Sequence, residues 1–476
     1  MLFNSFAFVV FLLLVLAVYY PLPHRAQNVF LLVASCVFYA SWDWRFLVPL
    51  LFSTTIDFFC AQRMQQISER GELHAGRKRY LLISVIANLS LLGFFKYFNF
   101  FAGSMERLLN VLGAPVSPWA LHIILPVGIS FYTFQALSYT IDVYRGELHP
   151  TKSFWDFLLA ILYFPHLVAG PIQRAHSLLP QVIQKRRITK QMLGDGVHLM
   201  VCGYFKKVFV ADNLAPMVNQ VFAMPSPSGF QTMMGCYGFA MQIYCDFSGY
   251  TDIARGVAKL MGFEFMLNFN LPYFATSPTE FWRRWHISLS SWLRDYLYIS
   301  LGGNRGAAWK VKRNVLLTMV IGGLWHGAAW NFVLWGMYHG VLLVGDRALK
   351  PWGTKMFRAR NAVGCFVSVG VRVAVMFGLT CYGWMLFRAG SLHQIGVMTE
   401  SLGHPLMGVD WSFAGRMMMY SCPVWVVQMY QFARKKLMFM DVAWLPVEVR
   451  TVIYAVAVYF VLFLGGQPKS FIYFQF

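Results

Sequence analysis

Charged side chains are scarce in this chain, and acidic ones are the scarcest. Only 13% of its 476 residues are Asp, Glu, Lys or Arg, while 58% are hydrophobic. A soluble domain carries about 25% charged residues, so the balance points to an integral membrane protein. Forty Lys and Arg face twenty Asp and Glu, a formal net charge of +20. Such an excess can mark a nucleic-acid binder. Here, however, the basic residues lie in short clusters between apolar runs, as cytoplasmic loops of membrane proteins do, which argues against nucleic acid as a partner. The eight cysteines contain no C-x-x-C pair and mostly fall inside apolar runs. They read as buried thiols, with neither a disulfide framework nor a zinc site. There is no GxSxG elbow, no Walker loop and no dinucleotide fingerprint. With no soluble second domain, low-complexity linker or internal repeat, residues 1–476 read as a single transmembrane domain. No metal or bound cofactor is expected.

What the chain does have is a series of apolar runs. Phe6–Tyr20 lacks the positive flank and small-residue cleavage site of a signal peptide, and reads as a retained first span. Spans follow near Asn28–Ser41 and Phe46–Cys60. The loop Arg63–Arg79, with Arg63, Arg70, Arg77, Lys78 and Arg79, belongs in the cytoplasm. Counting crossings back from it puts the N-terminus outside. Tyr80–Phe101 then crosses outward to a loop ending near Trp119, and Leu121–Val143 returns to Arg145 and Lys152. Phe154–Gly170 is short, holds Pro165 and His166, and has basic residues on both flanks. It reads as re-entrant, a form tolerated at membrane depth only where protein or water surrounds it, and so implies a chamber. Lys206 and Lys207 read as near-surface lysines with buried stems. Phe230–Cys245 is a span expected to end at Asp246-Phe-Ser-Gly-Tyr250-Thr-Asp252. Spans near Gly364–Phe387, Phe413–Phe432 and Thr451–Leu464 close the series, with the tail Gln467–Phe476 outside. The expected fold is all-α, with about 10–12 membrane segments and re-entrant and interfacial helices around a central chamber.

Two segments carry the chemistry. In Thr279–Ile299, Phe281, Trp282, Trp285, Leu289, Trp292, Leu293 and Tyr296 recur at helical spacing, with Arg283, Arg294 and Asp295 opposite. This predicts one amphipathic helix lying in the interface, with His286 at the edge of its apolar stripe. Further on, basic clusters at Arg305 to Arg313 and at Arg347 to Arg360 flank the apolar stretch that begins with Asn314–Leu324. The chain therefore goes in and returns. Asn314 to Leu324 would rise about 16 Å as helix, roughly half the ~30 Å hydrocarbon thickness. A break at Gly322-Gly323 and Gly327 would then leave His326 near mid-depth, forty positions after His286.

An intramembrane histidine is expensive without a partner or a task. His326 could be a structural residue bonded to a backbone carbonyl. As a neutral imidazole it could also take a proton from a hydroxyl and return it to a leaving group. His286 divides evenly between helix edge and chamber wall, while His166 and His339 read as structural. Asp246 and Asp252 could form a relay or ion site, but the favoured reading is that they cap helices or pair with Arg255, Arg283 or Arg284. Arg283 and Arg284 suit either the phosphates of a nucleotide-containing donor or anionic lipid. Candidate substrate contacts are Arg283, Arg284, Trp325, Asp246, Tyr250 and Asn331. A proton-coupled transporter subunit and a non-catalytic scaffold of a polysaccharide synthase are the rival readings from other classes.

The longest motif is Phe281 to Arg305, FWRRWHISLSSWLRDYLYISLGGNR. It is joined by LPVGISFY (Leu125–Tyr132), FPHLVAGP (Phe164–Pro171), DFSGY (Asp246–Tyr250), GLWHG (Gly323–Gly327) and the closing FIYFQF (Phe471–Phe476). Together these resemble the membrane-bound O-acyltransferase family, and within it the bacterial branch that includes the alginate O-acetylating machinery. The resemblance implies an all-helical membrane domain thinned at its centre, with His326 the catalytic histidine and His286 the second histidine of its chamber. It further implies an inner-membrane enzyme passing acetyl groups from a cytoplasmic thioester, acetyl-CoA, to a periplasmic acetyltransferase partner within a polysaccharide biosynthesis complex. Alginate is the first choice of polymer and cellulose the next; peptidoglycan O-acetylation and teichoic-acid acylation use the same chemistry.

Overall fold

A computed structural model describes residues 1–70, 74–114, 121, 123–168, 170–356, 362–437, 446–467, 469, 471 and 472. The loop boundary expected at Trp119, the basic residues Arg358 and Arg360, and Tyr473 to Phe476 of the closing motif lie outside the described residues. Those described form helices and connecting turns, with no strand among them. Among the described residues, three stretches are long and apolar enough to cross a bilayer by length and composition: Trp44–Glu69, Gly76–Val111 and Phe366–Arg388. The all-α membrane architecture read from composition is therefore what the chain adopts.

The chain packs as two compact units, one formed by Met1–His198 with Ala254–Met266 and the other by Leu199–Ile253 with Leu267–Phe476. In the first, Leu47–Glu69 packs on His74–Leu92 and on Ile129–Arg145. A fully buried carboxylate, Asp57, ties these helices together. It accepts from Ser84 Oγ at 2.5 Å and from Asn88 Nδ2 at 2.9 and 3.0 Å, and Ser84 also donates to Thr140 Oγ1. With no water at membrane depth, interhelical hydrogen bonds of this kind are how polar side chains are satisfied. The loop expected over Arg63–Arg79 is shorter than that, because the helix runs on to Glu69. Side-chain bonds from Arg63 to Gln66 and from Gln65 to Glu69 support its last turns. The span expected from Leu121 begins as helix only at Ile129. Pro126 disfavours helix in the residue before it, and Gly128 adopts φ +75°, where an added Cβ would meet the Leu167 carbonyl at 2.6 Å. The Phe154–Gly170 run is broken, with helices Phe154–Leu162 and Phe164–Leu167 meeting at Tyr163.

In the second unit three expectations are corrected. The helix Gly229–Leu260 is continuous over 32 residues, about 48 Å long, so Asp246 and Asp252 lie inside it rather than at its end. The segment Thr279–Ile299 is not one helix. It forms Pro278–Arg284, Ile287–Trp292 and a π-helical turn Leu293–Tyr298, broken at Trp285 and His286. The helix that reaches His326 is Ala308–His326, 19 residues running straight through Gly322-Gly323. It is about 28 Å long, so the half-thickness argument for the depth of His326 does not hold.

The glycines of that region serve packing instead. Ala308–His326 turns back into Trp330–Met356, and the two lie antiparallel with their backbones nearly touching. A Cβ on Gly323 would strike the Phe332 carbonyl and one on Gly336 the Met319 carbonyl, while one on Gly340 would come within 3.0 Å of Leu316 Cδ2. Small residues at such a seam let two helices approach closely in a membrane, where van der Waals contact is the main attraction. Gly345, further along the same helix, has nothing within 4 Å. Ala is the better helix former, so Gly345→Ala should be neutral or stabilise by about 0.5–1 kcal/mol. Gly336→Ala should reverse the sign and destabilise by about 1–3 kcal/mol. Thermal unfolding of the detergent-solubilised variants reads both.

Candidate active site

His326 is the last residue of its helix and is 4% exposed. The chain leaves the helix at Gly327, where any Cβ would collide with the Phe332 ring, and helix resumes at Trp330. Around the imidazole stand Trp325 (ring centroids 5.0 Å apart), Trp335 (5.1 Å, near perpendicular) and Phe387 (5.3 Å). Asn331 donates to the carbonyls of Phe387 and Ala389 at 3.1 and 3.2 Å. It thereby pins the end of Ala362–Arg388 where Phe387 meets His326. The amide expected to contact substrate is thus engaged in holding the wall of the site.

His286 is fully buried, not at a helix edge. It occupies the break, with φ +43° and ψ +54°, a left-handed conformation that a residue with a side chain adopts only when its surroundings impose it. Asn268 supplies that imposition. Its carbonyl accepts from Ile287 N at 2.9 Å, and its Oδ1 accepts from Ser288 N at 3.1 Å and Ser288 Oγ at 2.9 Å. The same Oδ1 lies 3.3 Å from His286 Nδ1. Because a backbone N–H fixes that atom as an acceptor, Nδ1 must carry the proton, which leaves the lone pair on Nε2. The rings of His286 and His326 are 6.5 Å apart, with Trp325 packed against both at 6.0 and 5.0 Å. Two imidazoles forty positions apart in the chain thus share one aromatic shell.

The remaining sequence candidates fall elsewhere. Arg284 is engaged by Glu280 at 2.7 Å and by the Asn270 carbonyl, and Arg283 is exposed. Asp246 and Asp252 both pair with lysines. Lys207, only 1% exposed, pairs with Asp212 at 2.9 Å and Asp246 at 2.5 Å, and Lys206 pairs with Asp252. The lysines read as near-surface are therefore interior counter-ions, and the carboxylates are what keep them inside. Lys469, Phe471 and Ile472 are anchored on the same cluster. Ile472 N donates to Asp246 Oδ2 at 2.7 Å, Lys207 donates to the Lys469 carbonyl, and Phe471 packs on Tyr250 at 4.7 Å and on Phe247 at 5.5 Å. Phe247 in turn packs on His286 at 4.7 Å. A cavity with about 20 Å³ of water-sized space adjoins the cluster, bordered by Asp212, Gln242 and Asn219.

The profile of the MBOAT, membrane-bound O-acyltransferase, family matches residues 151–387, which include both histidines. The chain is 44% identical to the probable alginate O-acetylase AlgI of Azotobacter vinelandii over 391 residues, covering 82% of this chain and 75% of that one. It is 42% identical to the protein of the same name in Pseudomonas aeruginosa, over 84% and 74%. The chain belongs to the membrane-bound O-acyltransferase family. A peptidoglycan O-acetyltransferase of Helicobacter pylori is 33% identical, over 79% of this chain and 74% of its own. Membership makes this protein a membrane O-acyltransferase, and the matched region spans the aromatic shell described above.

Residues that the sequence reading did not single out are Asn268, Ser288, Trp335 and the role of Lys207. Trp335 carried a signal. Asn331, Trp335 and His339 are spaced four apart, which puts them on one face of the helix after His326. Removing one partner of a buried ion pair costs about 3–5 kcal/mol. Lys207→Met should therefore unfold at a markedly lower temperature, and Lys207→Met/Asp212→Asn/Asp246→Asn should recover most of the loss. A single variant as stable as the parent would contradict the charge assignment.

Proposed function

We propose that His326 is the general base of this O-acyltransferase, with His286 orienting or polarising the acyl group beside it. The observation that carries the reading is that these two imidazoles, from distant segments, lie within one buried aromatic shell inside the region the family profile matches. The donor is a cytoplasmic thioester, acetyl-CoA. The acceptor hydroxyl attacks the thioester carbonyl, His326 takes the hydroxyl proton, and the thiolate leaves with that proton restored to it. The relatives named for alginate suggest alginate as the polymer, reached through a periplasmic acetyltransferase partner in a polysaccharide biosynthesis complex. The enzyme sits in the inner membrane with both termini on the periplasmic side, and residues 1–476 act as one acyltransferase domain. The Helicobacter relative supports a second reading, in which the same transfer ends on peptidoglycan.

In an alginate-producing host lacking its own copy of the enzyme, the wild-type chain should restore polymer acetylation. At equal protein level His326→Ala should lower it about 10²–10⁴-fold, the range for loss of a general base. Acetyl groups appearing on peptidoglycan instead would select the second polymer. Undiminished acetylation by a well-inserted His326→Ala would remove His326 from the chemistry.

A further inference from the structure

Next to His326 lies a group of aromatic nitrogens with no hydrogen-bond partner among the described residues: Trp335 Nε1, Trp282 Nε1 and His339 Nδ1. Trp335 and His339 are each 1% exposed. Their rings are in mutual contact, Trp335 with His339 at 4.8 Å, Trp335 with Trp282 at 5.7 Å and Trp282 with His339 at 5.1 Å. Buried polar groups are nearly always paired, because an unmade hydrogen bond away from water is costly. Three such nitrogens in one cluster, against the proposed base, is the pattern expected of a site whose last partner is the substrate.

Of the three, Trp335 is the ring set edge-on to His326, at 5.1 Å and 89°. Its nitrogen is a donor only and cannot accept, so whatever it meets must offer an oxygen or similar acceptor. The indole is also held rigidly. Phe387 packs on it at 5.3 Å and Trp384 stacks at 6.1 Å, and one turn earlier on its helix Asn331 bonds the carbonyls of Phe387 and Ala389. A fixed donor in a water-excluded wall, beside the group that receives the proton, is the arrangement that stabilises charge developing on a carbonyl oxygen.

We propose that the Trp335 indole N–H is the oxyanion donor of the acyl transfer. The inference rests on the reading of His326 as the base. As the acceptor oxygen bonds to the thioester carbon, the carbonyl π pair moves onto its oxygen, and Trp335 Nε1–H donates to that oxygen. When the pair returns, the C–S bond breaks, and the proton held by His326 passes to the thiolate. Trp282 and His339 pack against the donor ring and receive no bond in this step.

The test removes the N–H and keeps the shape. Trp335 is replaced by Phe, and separately, through a reassigned codon, by β-(3-benzothienyl)alanine, in which sulfur takes the place of the indole N–H. Polymer acetylation rate is measured at matched protein level, and acetyl-CoA affinity is measured by titration of the purified protein in vesicles. Both variants should lose about 10²–10³-fold in rate, the range for one oxyanion-hole donor, with acetyl-CoA affinity within a few-fold of the parent. A benzothienyl variant as fast as wild type, or one whose rate falls only in step with acetyl-CoA affinity, overturns the proposal. His326→Gln measured in parallel separates the two readings. If it is inactive while the benzothienyl variant is fully active, only the role of Trp335 fails; if it is active, the assignment of the base fails first.

Discussion

Everything at the site depends on two helix backbones coming closer than side chains normally allow. Gly323, Gly336 and Gly340 line the seam between Ala308–His326 and Trp330–Met356, and a single methyl group at Gly336 would meet backbone. That approach sets His326 against Trp335 and, through Asn331, against Phe387. The result is an imidazole enclosed by aromatic edges, where water competes little for its lone pair. Proton transfer and charge stabilisation are worth more in such surroundings than in solvent, and acyl transfer needs both.

The second histidine reaches the same shell by a different device. A left-handed residue between two short helices is unfavourable for any side chain other than glycine, and His286 holds that conformation because Asn268 binds the two residues that follow it, Ile287 and Ser288. Behind it, Phe247 and Phe471 form a stack that ends on the Lys207, Asp212 and Asp246 cluster. Buried charge of this kind adds little net stability when complete and is costly when broken. Its effect here is to fix where Phe471 and Ile472 lie, and with them the aromatic packing under His286.

Much of this was legible in the sequence. Composition gave the membrane class, and the resemblance carried by Phe281–Arg305 and Gly323–Gly327 gave the family and drew attention to both histidines. The boundaries of Trp411–Arg434 and Val447–Phe463 lay within a few residues of the apolar runs. What failed did so for identifiable reasons. Periodicity over Thr279–Ile299 reports which residues are apolar, not that Asn268, eighteen positions before His286, will compete for the backbone and split the helix. Glycine pairs read as breaks from local propensity, but between closely packed helices the same residues are contact points. Lys206 and Lys207 looked like surface lysines because Asp252 and Asp246, which pair with them alongside the nearby Asp212, lie some forty residues away on another helix. The spacing of Asn331, Trp335 and His339 reveals one helix face, but not that the Trp335 nitrogen is buried without a hydrogen-bond partner among the described residues.

The central claim is that the reacting carbonyl sits between His326 and Trp335. It is tested most directly by a structure of the enzyme bound to the ketone analogue of acetyl-CoA in which a methylene replaces the thioester sulfur. The account predicts the carbonyl carbon facing His326 and its oxygen within hydrogen-bonding distance of Trp335 Nε1. An analogue bound with its carbonyl outside the aromatic shell, and both rings packed as they are here, would contradict it.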